Sequence, residues 1–204
     1  MRKLLPQPAG VLITLAFLFL FTILVPPERA LGSNLGIVLL HGAWVWAGLI
    51  TFSLAAVSGL VGLISRREKW HAWSRVLGWT GLAFWLTYLP MSVVVQQMNW
   101  GGIFWDEPRF RIPLAFGIAG VLLQGGLWLV NRPVLTSVSN LIFGAALVWQ
   151  LMGAQNVLHP DSPVFTSDST RIKFFFTILV VLALFLGAQA AAWLYQRSTV
   201  PVSK

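Results

Sequence analysis

Asn99-Trp100-Gly101-Gly102-Ile103-Phe104-Trp105-Asp106-Glu107-Pro108-Arg109-Phe110-Arg111 stands in the middle of an otherwise apolar chain. The runs on either side of it are too long and too apolar for an ordinary soluble core, so the stretch is expected to be a loop or lid at a membrane surface. Trp100, Phe104, Trp105 and Phe110 beside Arg109 and Arg111 could form a flat shelf with cationic edges, suited to a large planar ligand carrying negative groups. Anchoring in the interfacial aromatic belt is the competing use of the same residues.

Composition points the same way. Of 204 residues, 57% are hydrophobic and 10% charged, with mean hydropathy +0.77, whereas a soluble domain carries about 25% charge. This is the composition of a multi-span membrane protein. The chain has no cysteine, which excludes a disulfide framework, a thiolate-held metal and covalent heme attachment through a Cys-x-x-Cys-His motif. Met1-Arg2-Lys3 before an apolar run resembles a signal peptide, but the run ends in Val25-Pro26-Pro27-Glu28 with no small-x-small cleavage site, so it is read as a retained first span.

The hydropathy pattern gives an all-α, polytopic single domain over residues 1–204 with six transmembrane helices, at about 8–25, 35–64, 76–97, 112–130, 134–153 and 172–195. Pro26-Pro27 stops the first. The second, at 1.5 Å per residue, reaches roughly 45 Å and must tilt or project. Ser65 to Arg75 is expected to be a basic interfacial turn, Pro90 a kink in the third span, and Pro113 a first-turn residue of the fourth. No internal repeat is evident.

Charge sets the expected orientation. Six spans put Arg2, Lys3, Arg66, Arg67, Lys69, Arg75, Arg132, Arg197 and Lys204 on one side with Glu68, so that side carries the whole formal charge of +8. The other side balances Arg29, Arg109, Arg111, Arg171 and Lys173 with Glu28, Asp106, Glu107, Asp161 and Asp168. By the positive-inside rule both termini are cytoplasmic and the aromatic stretch faces outward. The basic balance is therefore a topology signal, and nucleic acid is not an expected partner.

Three histidines remain to be weighed. His41 lies near the outer end of the second span, followed by Trp44 and Trp46, and His159 lies in the outer connection before the last span. Both share a side with the aromatic stretch. Neutral imidazoles can fill the axial positions of heme iron, although an interfacial or solvated histidine is the plainer reading of each alone. His71, beside Trp70 and basic residues, reads as an interfacial anchor.

These features together resemble the heme-handling, tryptophan-rich membrane proteins of cytochrome c assembly, and in size and span count the heme exporter protein C family. That family carries a Trp-Gly-x-x-Trp-x-Trp-Asp-x-Arg segment between spans 3 and 4. Here Trp100-Gly101 opens the segment, Phe104 takes the next aromatic place and Arg109 closes it in register. In ungapped register Asp106 falls on a Trp place and Glu107 on the Asp place; a one-residue shift instead makes Trp105-Asp106 the Trp-Asp pair. His41 with Trp44 and Trp46 resembles the family's first external histidine, and His159 the second. The likeness in layout covers nearly the whole chain.

The resemblance implies a heme-binding chaperone in the bacterial cytoplasmic membrane. It would hold non-covalent heme b at the external face for delivery to a partner, which could be a heme chaperone, another cytochrome c assembly protein or an ABC transporter. Its implied axial ligands are His41 and His159; its aromatic seat is Trp100, Gly101, Phe104 and Trp105, with Trp44 and Trp46 in support. Asp106, Glu107, Arg109 and Arg111 supply the charges, and guanidinium suits heme propionates because it binds carboxylate bidentately. No Ser/His/Asp set, catalytic carboxylate pair or phosphate-binding glycine loop appears, so no enzymatic activity is expected. The alternatives are a non-heme structural or scaffolding subunit packing through small-residue faces, and a small transporter, against which stands the lack of ionisable groups at mid-membrane.

Overall fold

The computed structural model of the protein describes residues 8–155, 157 and 163–199. Helices α1 (Pro8–Ile23), α2 (Leu35–Ser65), α3 (Glu68–Trp100), α4 (Pro108–Val130), α5 (Pro133–Met152), the single turn α6 (Pro163–Thr166) and α7 (Thr170–Thr199) account for nearly all of them, and no β-strand occurs among the described residues. Five helices, α2, α3, α4, α5 and α7, are long and apolar enough to cross a membrane, while α1 is a shorter apolar helix. Leu122, Trp128, Leu129, Trp149 and Met152 all lie exposed on the outside of the bundle. Water would penalise so many bare apolar side chains; lipid tails would not. The chain is an all-α integral membrane protein.

Helix ends follow local chemistry. Beyond α1 comes Pro26-Pro27; α4 and α5 each begin with proline, whose missing N–H is harmless in a first turn. Gly101 caps α3 at φ 71°, where a residue without Cβ pays no steric penalty, and its N–H donates to the Gln97 carbonyl. Two segments differ from the sequence expectation. The basic stretch 65–75 is not an extended turn: only Arg66 and Arg67 separate α2 from α3, and Glu68 opens α3, its carboxylate favourably placed in the first turn. The central aromatic stretch is likewise shorter as a loop, because Asn99 and Trp100 finish α3 and Pro108 to Arg111 begin α4. Pro90 leaves α3 continuous.

The long helix α2 is the hub, packing on α1, α3, α5 and α7, whereas among the described residues α4 packs only on α3 and α5. Close approach depends on small residues: a Cβ on Gly59 would stand 2.7 Å from the Ser137 carbonyl of α5. One apolar cluster joins α1, α2 and α7 through Leu18, Leu39, Ala43, Phe176 and Leu179. A second joins α2, α3 and α5 through Phe52, Leu82, Trp85, Phe143 and Leu147.

Near the basic turns the core is polar. His71 is 4% exposed, and its Nδ1 lies 2.7 Å from Ser137 Oγ. It is therefore not the lipid-facing anchor that its neighbours in the sequence suggest. Asn140 donates to the Ser74 carbonyl at 2.9 Å and accepts from Gln124 Nε2 at 2.7 Å. Buried polar groups of this kind are kept because most find a partner; the Gln124 Oε1 atom is the exception within this network among the described residues.

Candidate functional site

At the end of the bundle opposite Arg66 and Arg67, the first turns of α2, the last turns of α3 and α5, and the start of α4 splay around a cavity of about 750 Å3. Ligand sites of 300–1,000 Å3 bury most of a drug-sized molecule, and they commonly combine apolar walls with a few placed polar groups. Leu39, Val45, Leu49, Trp85, Phe110 and Phe176 supply apolar wall; His41, Tyr88, Gln96, Glu107 and Arg109 supply the polar groups.

Each polar group has a local reason for its place. His41 sits two turns into α2, with Gly42 next to it on the cavity wall, and its ring packs on Tyr88 at 5.0 Å between centroids. Tyr88, Ser92 and Gln96 repeat at four-residue intervals, so they form one stripe of α3, and all three line the cavity. Gln96 Oε1 accepts the Phe104 N–H at 3.0 Å, tying the connecting loop back to α3. Pro113 has no N–H for the carbonyl one turn before it, that of Arg109. The Tyr88 hydroxyl donates to that carbonyl at 3.4 Å, and Trp85 Nε1 donates to the Pro113 carbonyl at 2.9 Å. Glu107 is buried although it immediately precedes α4, and Arg109 is half-buried. The second half of α3 thus carries the start of α4 on two aromatic donors.

The structure brings part of the expected set together. His41, Trp46, Trp100, Glu107 and Arg109 all line the one cavity. Trp46 stands edge-on to Phe165 at 5.9 Å, closing the α6 side. Other members are elsewhere. Trp44 points toward α3, donating from Nε1 to Thr87 Oγ1 at 2.8 Å and meeting Phe84 edge-on. Phe104 packs edge-on against Trp100 at 5.7 Å from outside the cavity, and Trp105 packs on Phe110 at the exposed surface. Gly101 serves as the helix cap, and Asp106 and Arg111 are exposed. His159 lies outside the described residues.

Tyr88, Ser92 and Gln96 are the site residues that sequence reading missed. A polar side chain every fourth residue on an apolar helix was the available signal, because such a stripe in a membrane helix faces a cavity or a partner.

The residues present fit a heme. A largely apolar space of about 750 Å3, one imidazole in its wall and one guanidinium among its lining side chains are the groups that the ring, the iron and the propionates respectively require. Among the described residues no group of three or more His, Cys, Asp or Glu side chains could hold a bare metal ion. No family model, curated protein or solved structure matches this chain.

Proposed function

We propose that the chain is a six-span heme-binding membrane chaperone with both termini cytoplasmic. It would hold heme b non-covalently at the outer face of a bacterial cytoplasmic membrane and pass it to a cytochrome c assembly partner. The observation that carries the reading is His41 in the wall of the 750 Å3 aromatic cavity, with Arg109 and Trp100 lining the same space. When bound, heme would supply an iron that takes imidazole ligands. His41 and His159 would hold that iron. Arg109 is assigned to a propionate, and Trp46, Trp85, Trp100 and Phe110 exclude water from the ring. Retention by ligation alone suits a carrier, since the cargo can leave without breaking a covalent bond.

Purification in detergent with added hemin and a visible spectrum tests this. The wild-type chain should show a Soret band that weakens in His41→Ala and in His159→Ala. It should persist per folded molecule in His71→Ala, which acts at the other end of the bundle. A folded wild-type chain that takes up no heme overturns the proposal and returns the chain to a structural role.

A further inference from the structure

A second, smaller cavity of about 290 Å3 opens at the opposite end of the molecule, between the start of α3, the start of α5 and the end of α7. Lys69 and Arg75 line it together with Glu68, Ala72, Pro133, Tyr195 and Ser198. Lys69 is exposed, with its Nζ over the Trp70 ring at 5.2 Å, and Arg75 is half-buried. Neither is in an ion pair with a carboxylate among the described residues, Glu68 included. Arg132 immediately precedes Pro133, and the first turn of α5 has no side-chain cap, so its amides add positive potential beside the cavity. Trp73 stacks on Tyr195 at 4.4 Å and 10°, fixing α7 against α3 and giving the cavity a rigid wall.

Two cations, offset in part by the Glu68 carboxylate, and an uncapped helix start around a pocket the size of a small headgroup form a seat for a phosphate group. Its place in the bundle favours a lipid as the source of that phosphate. The pocket lies where the apolar length of α3, α5 and α7 gives way to the cluster of Arg66, Arg67, Arg132 and Arg197, the depth at which phospholipid headgroups stand. We infer that this pocket binds the phosphate of an anionic phospholipid, one molecule per chain, and so holds the ends of α3, α5 and α7 together. The inference rests on the membrane-spanning fold and is independent of heme.

Native mass spectrometry of the full chain, released from micelles containing phosphatidylglycerol or phosphatidylcholine, tests it. The expected result is one phosphatidylglycerol retained in preference to phosphatidylcholine. Affinity should fall about fivefold for each of Lys69→Gln and Arg75→Gln, the effect typical of one cation near a lipid surface, and remain unchanged in Arg111→Gln at the other end. Ala72→Phe fills the pocket without altering charge and should also abolish retention. Equal retention of both lipids, or an Ala72→Phe chain that binds as well as wild type, overturns the inference. Sodium phosphate should leave the lipid complex intact; displacement of the lipid by inorganic phosphate would assign the seat to a free phosphate and overturn the lipid assignment.

Discussion

Asn140 shows what a single side chain does inside this bundle. Its amide donates to the Ser74 carbonyl on α3 and its oxygen accepts from Gln124 on α4, so one residue of α5 bridges three helices. Interhelical polar contacts in membranes are each worth about 1–2 kcal/mol at most, because the separated helices also find partners. Asn140→Leu should therefore lower stability by roughly that amount, read as a shift in a detergent unfolding titration; Asn140→Asp should cost more, since it buries a charge with no cation nearby. A chain indifferent to both would mean that the network is decorative. His71 belongs to the same logic. Its burial could not be read from Trp70-His71-Ala72-Trp73, because it depends on Ser137, 66 positions away, and on Gly62 leaving room for the ring.

At the level of the helices, most of the architecture was legible and the boundaries of two elements were not. Long apolar runs give α2 and α5 to within a residue at each end and place α4 and α7 with ends up to four residues short, because backbone groups in lipid must be satisfied within the helix. The charged stretch after α2 was harder, since charge marks the membrane surface without saying whether the chain there is coiled. Glu68 in a first turn was the local sign that α3 had already begun. Similarly, Gly101 and Pro108 bracket the true loop as helix cap and helix start, a signal overshadowed by the aromatics between them. Helix contact is governed by small residues at sites such as Gly59. Gly59→Leu would drive a side chain into the Ser137 carbonyl, and overpacking of this kind costs about 1–3 kcal/mol. The expected outcome is a less stable chain with α2 displaced from α5, whereas Gly125→Leu, where no neighbouring atom lies within 4 Å, should be tolerated. Comparing the two variants in one unfolding series checks the difference.

For the molecule as a whole, the two cavities sit at opposite ends of the same bundle, and the charge differs between those ends. Arg66, Arg67, Lys69, Arg75, Arg132 and Arg197 gather at one, where among the described residues Glu68 alone offsets them. At the other, Arg29, Arg109, Arg111, Arg171 and Lys173 face Glu28, Asp106, Glu107 and Asp168. In the proposed orientation, the positive-inside rule turns the His41 cavity outward and the Lys69 pocket toward the cytoplasm. The weak point is α1: its 16 residues rise about 24 Å as helix, short of the ~30 Å hydrocarbon layer. Parity makes this testable, because if α1 does not cross, the N-terminus moves to the outer side while everything after α2 stays in place. The cysteine-free sequence supplies a clean background for labelling. With a membrane-impermeant maleimide on intact cells, Trp105→Cys should label at once and Arg67→Cys only after permeabilisation, while a tag at the N-terminus should be protected from external protease. Labelling of Arg67→Cys in place of Trp105→Cys would invert the molecule and put the proposed heme seat on the cytoplasmic face. An N-terminal tag cut from outside, with both cysteines behaving as expected, would reduce the chain to five spans and leave the site where it is.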